Sequence, residues 1–182
     1  MVTGMPVDAE HPAIVRVTSV LAARDARGEV VVLPESAGTA ARAAAALGCD
    51  VGAIANSLVF AADTPGATGP DALPVLILTS GAHRVDTTTC AARLGVDSLR
   101  RASPDFVRRH TGQPIGGVAP VSHPVPLRTV VDRELDRYAV VWAAAGHPHA
   151  VFATTYAELL RLTDGTPIDV GPRNDPDPPQ RP

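Results

Sequence analysis

The chain has 182 residues and a formal net charge of −3, with 45% hydrophobic, 19% charged and only 3% aromatic residues. That balance describes a folded globular domain with a core of Val, Leu, Ile and Ala, and it excludes a disordered chain. All 16 basic residues are arginine. A lysine nucleophile, a Schiff base, a lysine general acid and a Walker A loop are therefore excluded.

Residues 1–10 show no basic region followed by an apolar run, so they read as a loose lead and not as a secretory signal. Residues 12–26 place Ile14, Val17, Thr18 and Leu21 on one face, with Pro12 early and Gly28 as the stop, and predict an amphipathic helix. Glu29–Leu33 reads as a short buried strand. Thr39–Leu47 is an alanine-rich helix that Gly48 closes. Ile54–Ala62 and Leu73–Thr79 are strands rich in Val, Ile and Leu, separated by a Pro/Gly-rich loop over residues 64–74. Asp86–Leu94 is a further helix, again closed by glycine.

Ser103-Pro104-Asp105 combines an N-cap, a first-turn proline and a favourable acid. Arg108, Arg109 and His110 fall in the last turn before Gly112. Val125–Val131, Ala139–Trp142 and Ala150–Phe152 read as strands. Thr155-x-x-Glu158 reads as a capping box opening a helix to about Leu162, and Ile168–Val170 as a closing strand. The expected fold is α+β, or mixed α/β, in one domain over residues 11–171, followed by a proline-rich disordered tail at 172–182.

The longest apolar stretch, around Ala139–Ala145, is far shorter than the roughly 18 residues of a membrane span. Cys49 and Cys90 are isolated and read as small buried hydrophobes in a reducing, cytoplasmic setting. The acidic balance argues against a protein that coats nucleic acid, while leaving room for a local basic patch. Arg100, Arg101, Arg108 and Arg109 are the only basic concentration. They either complement helix ends and nearby acids or touch a polynucleotide backbone.

The stretch from Thr111 to Pro124 is the most unusual. Gly116 and Gly117 permit positive φ and close backbone approach, while Pro114, Pro120 and Pro124 fix the path around them. Such a loop is either a tight structural crossover or a rigid presentation of bare N–H groups to a carbonyl or phosphate oxygen. Alternation along Ile54–Phe60 puts Asn56 and Ser57 on opposite faces, so one of the two points inward. A buried Asn56 either pairs with backbone or faces a cavity. His147 and His149 match no common zinc spacing and have no Cys/His cluster beside them, so no metal is expected. His123, beside the glycine loop, is either a solvent-facing loop histidine or a donor to the site. No Ser-His-Asp order or paired-carboxylate motif stands out.

Three segments in order resemble the YbaK family of aminoacyl-tRNA deacylases, which is related to the editing domain of bacterial prolyl-tRNA synthetases. They are Ile54–Phe60, Gly112–Pro120 with its Gly116-x-x-x-Pro120 loop, and Trp142–Gly146 followed by Ala157–Leu160. The resemblance covers roughly residues 12–170, and Asp132 in Val-Val-Asp-Arg-Glu-Leu also fits. It implies a mixed, partly barrel-like sheet surrounded by helices, with an aminoacyl pocket between loop and strand. The implied activity is trans-editing: cleavage of the ester that joins a wrong, small amino acid to the tRNA 3′ end. No cofactor and no metal are implied. The partner is the 3′ acceptor end of aminoacyl-tRNA, with an aminoacyl-tRNA synthetase as a further one.

The resemblance places Asn56, Gly116 and Gly117 at the reacting group. Ser57, Pro120, His123, Asp132 and Gly146 would bind substrate. This chain departs from the family pattern at two positions: Asn56 replaces the usual lysine of K-[ST]-L, and Ala119 stands where many relatives have serine. Two readings stay open: a deacylase in which Asn56 orients a substrate that assists its own hydrolysis, or an altered module that binds an aminoacyl end, a nucleotide or a protein without turnover.

Overall fold

The computed structural model describes residues 9–171. The expected tail at 172–182 and most of the N-terminal lead lie outside the described residues. The chain runs α1 (Pro12–Ala23), β1 (Val30–Val32), α2 (Ala40–Leu47), β2 (Ile54–Asp63), β3 (Leu73–Ser80), α3 (Thr87–Leu94), β4 (Ser98–Arg101), α4 (Pro104–Thr111), β5 (Arg128–Asp132), β6 (Val141–Ala144), β7 (Ala150–Thr154), α5 (Tyr156–Thr163) and β8 (Thr166–Ile168). Among the described residues no helix is long and apolar enough to cross a membrane.

Helix boundaries follow local chemistry. The side chains of Thr39, Asp86, Ser103 and Thr155 each accept the backbone N–H three residues on, at Arg42, Thr89, Phe106 and Glu158. Gly48, Gly95 and Gly112 close α2, α3 and α4 in the left-handed region. The capping box at α5 is only half made. Glu158 sends its carboxylate to the Thr154 hydroxyl (2.8 Å), the Arg27 N–H (3.1 Å) and Arg161 (3.2 Å) instead of back to Thr155. α1 ends earlier than its apolar spacing predicts, because Asp25 turns left-handed (φ 52°) and Ala26 N–H bonds back to Leu21.

The strands form one mixed sheet of eight, in the order β1-β7-β6-β2-β3-β5-β8, with β4 also pairing β2. Its path has two ends, β1 and β8. One face packs on α1, α4 and α5 through Ile14, Val17, Leu76, Leu78, Phe106, Val131, Phe152 and Leu159. The other holds a cluster of Phe60, Val75, Ile77, Cys90, Leu94 and Val130 under α3, and a small one of Ala43, Ala44 and Ile54 under α2. Cys90 is fully buried and its thiol is pushed up to about 11 by desolvation, whereas Cys49 is only half-buried.

One irregularity positions the site. β3 pairs β2 from Ala55 to Ala62. The other edge of β2 is divided between β6, parallel at Ile54–Ala55, and β4, antiparallel at Phe60–Asp63. Between them the strand has no paired neighbour among the described residues. The Ile54 carbonyl accepts the Gly81 N–H on the β3 side; main-chain groups alternate in direction, so the N–H and C=O of Ser57 face the gap.

Candidate functional site

A groove of about 250 Å³ opens at that gap. Its floor is Ile54–Leu58 of β2, one wall is Gly38–Ala40 at the start of α2 with Trp142–Ala144 of β6, and the other is Ile115, Gly116 and Val118, with Arg101 of β4 at the end. Asn56 and Ser57 both border it although strand alternation sends them to opposite faces, because the groove wraps around the free edge of the strand. Among the described residues the Asn56 amide has no hydrogen-bond partner, and the Ser57 hydroxyl oxygen is enclosed without one. Among the described residues Arg101 is the only ionisable side chain on the lining.

The glycine pair is a wedge between two other loops. Pro114–Gly117 is a β-turn closed by the Gly117 N–H on the Pro114 carbonyl at 3.0 Å, with Gly116 at φ 84° in the third position, as a type II turn requires. A Cβ on Gly116 would lie 3.3 Å from the Gly38 Cα; one on Gly117 would lie 2.7 Å from the His147 carbonyl carbon. The Gly117 N–H is therefore committed to the turn, while that of Gly116 has no partner among the described residues.

The remaining residues singled out by the resemblance sit behind the groove. Pro120 is buried and does not border it. His123 brings Nε2 to 2.9 Å from the Ala119 carbonyl, and burial lowers its pKa below the ordinary histidine value. Gly146 (φ 87°) packs against α1, where a Cβ would meet the Ala13 carbonyl at 2.8 Å. Asp132 is 1% exposed and its oxygens accept from the Thr79 hydroxyl (3.2 Å), the Ser80 N–H (3.0 Å), His83 Nδ1 (2.9 Å) and the Glu134 N–H (3.1 Å).

Residue-by-residue reading missed Gln113. Its buried side chain accepts the Ala119 N–H (2.6 Å) and donates to the carbonyls of Val121 (3.1 Å) and Ser122 (3.2 Å), so it pins both ends of the loop that carries Gly116. Glycine and proline mark a loop locally; the amide that ties it shut carries no such signal. Gly38 was missed for a related reason: its contact is with Gly116, far from it in the sequence. The histidines of 146–149 hold a turn. His149 N–H donates to His147 Nδ1 (3.2 Å), and His149 Nδ1 meets the Leu33 carbonyl (3.2 Å).

Residues 34–162, which contain the whole groove lining, match the model of the aminoacyl-tRNA editing domain. The chain belongs to that family. Among solved structures, this editing domain is similar to a protein proposed to be a trans-editing enzyme for prolyl-tRNA synthetase: 40% identity, TM-score 0.79, covering 90% of this chain and 99% of that one. It is also similar to a scaffold protein used for computational epitope grafting, at 37% identity and TM-score 0.78 over 89% and 99% of the two chains. The uncharacterized protein YwhH of Bacillus subtilis (strain 168) is 28% identical over 135 residues, 74% of this chain and 81% of its own length. The function that family and neighbour support is aminoacyl-tRNA editing, and a module that binds without turnover is not favoured.

Proposed function

We propose that this editing domain hydrolyses the ester between a small mischarged amino acid and the tRNA 3′ end, with Asn56 as the group that orients it. The observation that carries this reading is the Asn56 amide, unpartnered among the described residues, on a groove that Ala, Val, Ile and Trp142 line together with Thr39, Ser57 and Arg101. An amide both donates and accepts, so it can hold an ester carbonyl or a ribose hydroxyl. It supplies no charge and takes up no proton at neutral pH. Among the described residues the lining offers no carboxylate, histidine or lysine as general base, so attack falls to water or to the substrate's own hydroxyl, held close by the site.

The unpaired N–H groups of Gly116 and Ser57 supply the donors that an oxyanion needs. The small volume favours a small side chain, although size alone discriminates weakly, by roughly 1–3 kcal/mol per methylene. Pro120, Gly117 and His123 act through the shape of the loop, and Gly146 through the seat of α1. An aminoacyl-tRNA synthetase, prolyl-tRNA synthetase first, is the proposed partner because the 40%-identical neighbour is described in those terms.

The test is a panel of purified tRNAs mischarged with small amino acids, tRNA for proline among them, each followed for loss of the aminoacyl group. Release above the buffer rate on at least one member is expected. A flat panel sinks the enzymatic reading. Asn56→Lys run beside it measures what the usual family charge adds in this groove.

A further inference from the structure

The four arginines on β4 and α4 are not equivalent. Arg100 is neutralised: its Nε and one terminal nitrogen each lie 2.8 Å from an oxygen of Asp63, and Ser98 donates to the same carboxylate at 2.7 Å. Arg100 holds that carboxyl well below the usual carboxylate range. Arg101 and Arg109 make no side-chain hydrogen bond or ion pair among the described residues, even though Asp105 stands one helical turn before Arg109. Both border a second cavity of about 240 Å³, beside Pro70, Ser103 and Phe106. Arg101 borders this cleft and the Asn56 groove alike. It pairs with Phe60, four residues beyond Asn56 on β2, which places it roughly 13 Å along the strand at about 3.3 Å per residue.

Two uncompensated guanidiniums in one cleft make an anion site, and the planar fork of arginine suits a phosphate. We propose that this cleft binds the phosphodiester backbone of an RNA strand whose 3′ end lies in the groove. The inference rests on the reading of the groove as the aminoacyl pocket: a strand ending there carries its next phosphates past Arg101 towards Arg109. Arg108, exposed on α4 but off the cleft, takes no part.

The test uses the full chain and a fluorescent, uncharged RNA oligonucleotide with the sequence of a tRNA 3′ strand, titrated at several salt concentrations. For the wild type, log K falls linearly with log salt. The double variant Arg101→Ala/Arg109→Ala binds roughly tenfold more weakly or worse, as the loss of two charge-assisted contacts implies. Its salt slope is shallower by about 1.4, since a single strand contributes about 0.7 per phosphate neutralised. Arg108→Ala removes equal charge per residue and changes affinity less than twofold. Thermal midpoints of all variants stay with the wild type, because the substituted side chains are exposed.

In turnover assays, Arg109→Ala raises KM for mischarged tRNA but not for the aminoacyl ester of adenosine, which has no 5′ phosphate. Undiminished RNA binding by the double variant, an equal loss in Arg108→Ala, or no RNA binding by the wild type at low salt overturns the proposal. A flat deacylation panel with intact, Arg101/Arg109-dependent RNA binding would fault the hydrolase reading and leave the cleft standing.

Discussion

Two polar side chains on the same face of the sheet have opposite surroundings. Asn56 pairs in register with Thr79, and Thr79 donates its hydroxyl to Asp132 on the next strand. Asp132 is buried and accepts from four groups, whereas Asn56, two strands away, has no partner among the described residues. A satisfied carboxylate in a protein interior holds strand ends and turns together. An unpartnered amide beside a gap in the sheet is left for a ligand. The difference separates residues that shape the fold from residues placed to act, and it divides the family-implied site in two.

The largest expected effect lies on the structural side. Asp132→Ala leaves the Ser80 and Glu134 N–H groups and the Thr79 hydroxyl without their acceptor, and should cost about 3 kcal/mol in urea unfolding. Its activity loss should track the fraction folded. A stable Asp132→Ala variant that had lost turnover would move Asp132 into the site and erase the contrast.

Gln113→Ala comes next, at about 2 kcal/mol, because three main-chain groups of the glycine loop lose their partner at once. Unlike Asp132→Ala, it should also slow turnover in the folded protein, since the loop carries Gly116. Asn56→Ala should leave stability within about 0.5 kcal/mol. Its cost appears in turnover instead: a tenfold or larger drop, equivalent to about 1.4 kcal/mol of barrier.

The smallest effect is the pH dependence of stability. Burial lowers the pKa of His123, and burial is also the main cause at His110 and His147. These groups stay neutral in the fold while the unfolded chain takes up protons near pH 6.5. Stability from them is complete above that value and declines as pH falls from about 6.5 towards the lowered pKa values. Thermal midpoints measured from pH 7.5 to 5 should show this decline, and His123→Gln should flatten it.

The sequence was legible wherever chemistry is local. The caps at Ser103 and Thr155 and the glycine stops at 48, 95 and 112 stand where local chemistry puts them, while Thr39 and Asp86, expected as first helical residues, are N-caps one residue before their helices. The strands were less legible. β4, Ser-Leu-Arg-Arg, has no apolar run to announce it, yet it pairs with β2 and delimits the groove. β5 starts at Arg128 and not Val125, β6 runs Val141–Ala144 and not Ala139–Trp142, and β8 runs Thr166–Ile168 and not Ile168–Val170. In each, the register with a neighbour sets the limits, and alternation within a short segment does not.

The same holds for the site. Motif likeness brought Asn56, Ser57 and Gly116 to one groove, but it could not tell them from Asp132, Pro120 and Gly146, which the fold keeps behind it. Arg100 and Arg101 are adjacent in sequence; the Asp63 carboxylate that takes Arg100 and the groove that Arg101 borders distinguish them.

The most direct measurement is single-turnover deacylation of one mischarged small-amino-acid tRNA by the wild type and Asn56→Ala, with both proteins checked for equal folded fraction. The account predicts release by the wild type and at least tenfold slower release by the variant. Equal rates in the two proteins would contradict it.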